Sequence, residues 1–142
     1  MRKVALMVVA ATITSQVFAQ KLLEADVPTP VKTAFQKNFP QAEVEMWEKE
    51  GVNYEVEFKM NKSMQSVLLD AQGSIIETEI EIEISQLPNG VLDYIKVNYK
   101  RQSVREAAKV TDTKGTVTYE AEIKGMDLLF DSNCKFIKEI KN

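Results

Sequence analysis

The chain has 142 residues, of which 44% are hydrophobic and 27% charged, and its formal net charge is −3. Those fractions suit an ordinary globular protein and exclude disordered, collagen-like and disulfide-scaffold classes. With no His and a single Cys, mechanisms that need a His base, a His-ligated metal or an internal disulfide are excluded as well, and no motif calls for a cofactor.

Residues 1–19 read as a cleavable export signal. Arg2 and Lys3 form a basic start, Val4 to Ile13 an apolar stretch, and Val17-Phe18-Ala19 places small residues at both positions a signal peptidase reads. A bilayer span needs about 20 apolar residues. This run is shorter and is broken by Thr12, Thr14, Ser15 and Gln16, so cleavage after Ala19 is expected and not anchoring. No Cys follows the cut to carry a lipid, and no later stretch is apolar enough to insert in a membrane. Cleavage would remove two of the 18 basic residues and none of the 21 acidic ones, leaving −5. Nucleic acid and anionic membranes are poor partners for such a chain, because both attract basic surfaces. A periplasmic or secreted protein is expected.

The mature part, residues 20–142, reads as one domain made of two copies, about 27–84 and 87–140. Val27-Pro28-Thr29-Pro30-Val31 opens a helical pattern with apolar residues at Val31, Ala34, Phe35 and Phe39. Leu87-Pro88-Asn89-Gly90-Val91 opens another, with Val91, Ile95 and Tyr99 on one face and Leu92 beside it. Thr29 and Asn89 are read as N-caps, Pro30 as a first helical residue and Pro40 as a stop. Val52 to Phe58 and Val117 to Ile123 alternate apolar and polar residues without a fault, the pattern of strands with one buried face. Leu68 to Ile76 and Leu129 to Ile137 each read as strand, Asp-led turn and strand, which is a hairpin. Further strands are expected near 43–49, 74–84, 104–111 and 135–140. One copy buries too little apolar surface to be stable alone. The fold class expected is therefore α+β: a tandem α-β4 repeat forming one eight-stranded antiparallel sheet, with two helices on one face and solvent on the other.

The run VPTPVKTAFQKNFPQAEVEMWEKEGVNYEVEF resembles the start of the PepSY-like, beta-lactamase-inhibitor-like (BLIP-like) family of exported bacterial proteins. The Val-Pro opening, Phe39-Pro40, Trp47 ahead of a Glu-Lys-Glu-Gly turn, the Tyr54-to-Phe58 strand and Asp70-Ala71-Gln72-Gly73 carry the likeness. It spans residues 27 to 140 in two copies. The second copy has Ala107 or Ala108 near the place of the Trp, Lys100 after the helix and Cys134 for the turn Gly. The resemblance implies a sheet face open to partners, suggests peptidase inhibition and supplies no catalytic residue.

Glu77, Glu79, Glu81 and Glu83 alternate with apolar or Thr residues, so period two puts all four on one strand face. Glu55 and Glu57 should join that face from a neighbouring strand, and Glu120 and Glu122 from the second copy. These residues form either a binding surface for a basic protein or a solvated face that discourages edge aggregation. A flat carboxylate row supplies a calcium ion poorly, since calcium takes 6–8 oxygens from a folded loop. Asp70 and Asp131 read as turn residues, not as an acid–base pair. Trp47 is either a partner anchor on the open face or a core residue under the first helix. It cannot share the core with both Val44 and Met46 unless the strand carries a bulge. Cys134 reads as a turn or packing residue. The function expected is a non-enzymatic, exported binding module for a protein partner, with an exported hydrolase as one candidate. A small-ligand or calcium binder and a carboxylate-based hydrolase are the alternatives.

Overall fold

A computed structural model describes residues 19–141; the expected signal segment falls almost wholly outside them. The elements in chain order are β1 (Gln20–Leu22), α1 (Thr29–Asn38), β2 (Glu43–Glu50), β3 (Asn53–Met60), β4 (Ser63–Leu69), β5 (Ile75–Ile82), α2 (Asn89–Asn98), β6 (Glu106–Asp112), β7 (Val117–Ile123), β8 (Met126–Asp131) and β9 (Phe136–Lys141). A single 3₁₀ turn precedes each helix, at Glu24–Asp26 and Ile84–Gln86. The strands form one nine-stranded antiparallel sheet in sequence order. The ninth strand, beyond the eight expected, is β1, which pairs Leu22 with Trp47 along the outer edge of β2. Three residues are too few to show a period, so the sequence did not announce it.

Both helices start one residue earlier than the cap chemistry implied. Thr29 and Asn89 are the first helical residues, and the extended Pro28 and Pro88 stand at the N-caps without a side-chain hydrogen bond. A Pro fixes φ near the value a helix start requires, so it can set the entry without a capping oxygen. Each helix buries two apolar residues one turn apart, Val31 with Phe35 and Val91 with Ile95. At the end of α2, the Tyr99 hydroxyl donates to Glu139 Oε2 of β9 at 2.7 Å.

Register places both helices on the same face. Val67 lies opposite Thr78, Thr78 opposite Thr111, and Thr111 opposite Val117. That row carries the helix-covered side from the first half into the second without a change of face. Two apolar cores result, one around Val31, Phe35, Val56, Phe58 and Val67, the other around Val91, Ile95, Ala121, Leu128 and Phe130. The aromatic mass sits differently in each. Phe35 packs edge-on to Trp47 and Phe58 with ring centres 5.5 and 5.1 Å apart, over β2 and β3. Tyr94 instead meets Phe130 and Phe136 at 5.4 and 5.1 Å, over β8 and β9. Small residues compensate: Ala107 of β6 stands where the first half has Trp47, and Ala34 of α1 where the second has Tyr94.

Three turns share one device. Asp70 Oδ1 accepts the backbone N–H groups of Gln72 and Ser74, both at 2.9 Å. Asp112 does the same with Lys114 and Thr116, and Asp131 with Asn133 and Lys135. Asp70 and Asp131 therefore act as the turn residues their position suggested, and Asp112 is a third. Replacing Asp70 by Ala should cost about 1 kcal/mol, the usual net worth of such side-chain to backbone bonds, measurable as a lower urea midpoint with unchanged slope.

Candidate functional site

The face of the sheet without helices carries the acidic residues. Cross-strand register makes them into rows. Glu48, Glu55, Leu68, Glu77 and Asp112 run across β2 to β6 as successive partners. Glu57, Ser66, Glu79 and Val110 form the next row. Glu81, Ala108, Glu120, Leu129 and Lys138 form a third, from β5 to β9, and Glu106, Glu122 and Asp127 a fourth. Alternation within β3, β5 and β7 made this grouping of Glu55, Glu57, Glu77, Glu79, Glu81, Glu120 and Glu122 legible. Glu48, Glu106 and Asp127 join it too. Glu106 stands two and four residues before Ala108 and Val110, so period two puts it on their face, while Glu48 was hidden by an irregular strand.

Two expected members are elsewhere. Glu83 follows the end of β5 and belongs to the 3₁₀ turn, where its side chain accepts from that turn's backbone and its own N–H donates to Gln86 Oε1 at 2.8 Å. The alternation ran past the point where the chain leaves the sheet. Trp47 is no partner anchor: it is 4% exposed on the helix side, against Phe35. A bulge between Val44 and Met46 is the reason. It restores Val44 (44% exposed) and Trp47 to the helix side and turns Met46 to the acidic one.

The expectation of a face wet throughout is also corrected. Glu55 is 2% exposed, Glu79 6% and Glu120 5%, and Glu48, Glu122 and Asp127 are equally buried. Long side chains on strands less than 5 Å apart shield one another in a twisted sheet, and the apolar Leu68 and Leu129 stand among them, also buried. Only Glu81 of the β5 row is exposed.

Burial then sets the charge state, because a carboxylate withdrawn from water favours its neutral form. Desolvation pushes Glu55 up to about 8, with Glu50 adding repulsion and a hydrogen bond from Ser66 opposing it. Glu120 rises to about 8 by desolvation and the nearby Asp127 and Glu122. Glu77 rises to about 7 by desolvation and Asp112. Glu79 lies well above the usual carboxylate range, through desolvation first and the neighbouring Glu120 second. Oxygens of Glu55 (Oε1) and Glu79 (Oε2) have no hydrogen-bond partner. A cleft opens in the middle of this face, lined by Glu57, Met64, Gln65, Ser66, Glu79, Glu81, Glu106, Ala108, Glu120 and Glu122. Among the described residues, no group of three or more acidic or Cys side chains is placed to hold a metal ion. Nor is any helix among them long and apolar enough to cross a membrane.

The family described as "Putative beta-lactamase-inhibitor-like, PepSY-like" matches the sequence twice, over residues 16–77 and 62–138. No curated protein matches it. Among solved structures, the chain is similar to a protein described as "putative periplasmic" from Bacteroides eggerthii, with 15% identity, a TM-score of 0.72 and coverage of 81% of this chain and 88% of that one. A DUF2874 family protein from Bacteroides uniformis gives 20% identity and a TM-score of 0.70 over 80% and 88% of the two chains. A BLIP-like protein from Bacteroides fragilis gives 22% and 0.64 over 80% and 86%. At these identities the likeness shows a shared fold.

Proposed function

The chain belongs to the beta-lactamase-inhibitor-like, PepSY-like family, and from that premise we propose that it is an exported, non-enzymatic module that binds a basic protein partner on its carboxylate face. The observation that carries this reading is the burial of Glu55, Glu79 and Glu120 on a sheet face free of helices. A core built for stability alone would replace such groups with apolar ones, since burying an acid costs free energy. Keeping them is the expected trade where a surface must receive positive charge. A cationic partner supplies the counter-charge, and complementary fields then govern association rate and salt dependence. The family's two matches and the recurring order of helix and four strands support two copies, about 27–84 and 87–140. The description of the Bacteroides eggerthii relative supports a periplasmic setting, and cleavage after Ala19 is the proposed route to it. The resemblance to inhibitors makes an exported hydrolase the first partner class to try.

The test is capture from a periplasmic extract by immobilised wild-type protein and by a Glu79→Gln/Glu81→Gln/Glu120→Gln variant. The expected result is retention of basic proteins at low salt, lost at high salt and lost in the variant. Equal capture by both would remove the acidic face as the site.

A second reading, paired-carboxylate hydrolysis, draws on Glu79 and Glu120 sharing one cleft. Such chemistry needs one acid held ionised beside a protonated one, whereas burial here raises both. Turnover of chromogenic glycosides that disappears in Glu120→Gln would establish it.

A further inference from the structure

Within the acidic face, Glu79 has an independent peculiarity. Its side chain is 6% exposed, it lines the cleft, and its Oε2 has no hydrogen-bond partner. An orphaned buried carboxyl oxygen costs about 1–3 kcal/mol, and a donor arriving in the cleft removes that cost. The floor beside it is small. Ala108 of β6 lies between Glu81 of β5 and Glu120 of β7 in the same cross-strand row, so carboxyl groups rise on either side of a methyl-sized gap. Met64 supplies an apolar wall and Ser66 a polar one.

We propose that this cleft is a subsite for a primary ammonium on an unbranched alkyl stem, delivered by a lysine side chain of the protein partner. The inference rests on the reading of the acidic face given above and narrows it to one side chain. The stem packs along Met64 and Ala108, and the ammonium donates to Glu79 and Glu120. Acids line the cleft from three strands, Glu57 from β3, Glu79 from β5 and Glu120 from β7. A compact ammonium, with three donors around one point, suits that arrangement. A guanidinium is a flat fork that matches a single carboxylate edge-on and fits a slot with one in-plane acid. Mutual repulsion is one reason Glu79 and Glu120 keep their protons while the cleft is empty, and a positive charge between them favours their ionised forms, so occupancy draws protons off the acids.

The experiment records backbone amide shifts of isotope-labelled protein during titration with Nα-acetyl-lysine N-methylamide. Norleucine and arginine derivatives of the same form are the comparisons. Saturable shifts centred on Ser66, Ala107 and Ala108 are expected with the lysine compound. The norleucine compound should give none, and the arginine compound should bind at least fivefold more weakly. Glu79→Gln should weaken the lysine compound tenfold or more. Ala108→Leu, which fills the floor and leaves every acid in place, should abolish the shifts, and Glu24→Gln, in the 3₁₀ turn before α1, should change nothing. Equal shifts with norleucine, stronger binding of arginine, or an unaltered titration in Ala108→Leu would each overturn the subsite. Absence of lysine binding together with intact, salt-sensitive partner capture would overturn it and leave the broader reading standing.

Discussion

The protein is expected to melt roughly 10 °C higher at about pH 5 than at about pH 8, the reverse of a protein whose carboxylates are salt-bridged. Glu55 and Glu120 titrate near 8 in the folded chain, Glu77 near 7 and Glu79 higher than the ordinary value of 4.5. In the unfolded chain all four titrate near that ordinary value. Between the two limits the folded state holds more protons than the unfolded one, so stability falls as pH rises. The contribution is complete below about 4.5 and is lost as pH climbs through the folded values near 7 and 8. Every tenfold gain in proton affinity on folding corresponds to about 1.4 kcal/mol. Coupling between the acids and entry of water leave a loss on the order of 3 kcal/mol for the set, and a domain this size loses about 3–4 °C per kcal/mol. Asp112 runs the opposite way, because the backbone N–H of Thr116 holds its carboxyl below the usual range, but it is solvent-facing and adds little. Thermal melts followed by circular dichroism across this range check the expectation. A Glu55→Gln/Glu120→Gln variant cannot ionise at those positions and should flatten the slope and melt above the wild type at the alkaline end. A wild-type melting temperature that stays level or rises with pH would show that these acids are ionised and solvated.

The same acids show how far the sequence could be read. Period-two alternation told which residues share a face, and register confirmed it for Glu55, Glu57, Glu77, Glu79, Glu81, Glu120 and Glu122. It could not tell how deep that face lies, because depth depends on how neighbouring strands shield each other, a property of the whole sheet. Glu83 shows the second limit. Its spacing is that of a strand residue, but the chain has already turned into the 3₁₀ segment that leads to α2. Trp47 shows the third: one bulge changes the parity of everything before it, and no residue in the Glu43–Lys49 run announces a bulge. The helices were legible because Val31 with Phe35 and Val91 with Ile95 recur at a spacing that only a helix brings together.

Cys134 and Gly90 should show a coupling that reverses the sign of a mutation. The turn after β4 and the turn after β8 each press against the helix of their own half, and each contact has a glycine on one side only. In the first half it is in the turn. A Cβ on Gly73 would fall 2.6 Å from the Pro30 carbonyl oxygen and 2.9 Å from Ala34 Cβ, at a φ of +87°. In the second half the turn residue is Cys134, at a φ of +65°, and the glycine has moved to the helix. A Cβ on Gly90 would meet Cys134 Cβ at 2.8 Å and Sγ at 3.0 Å. Gly73 and Pro30 in one half thus correspond to Cys134 and Gly90 in the other, with the small member exchanged. Gly73→Ala should therefore cost about 3 kcal/mol, combining left-handed strain with a clash against backbone that cannot rotate away. Gly90→Ala would stabilise an ordinary helix by up to about 1 kcal/mol but here should destabilise by about 1–2 kcal/mol, because the incoming methyl overpacks against Cys134. In a Cys134→Gly background the obstruction is gone and Gly90→Ala should become stabilising, giving a coupling of about 2 kcal/mol in the double-mutant cycle. Urea unfolding of the four proteins measures it. Equal effects of Gly90→Ala in both backgrounds would mean that the turn and the helix do not share this space, and that the lone cysteine has no packing role against α2.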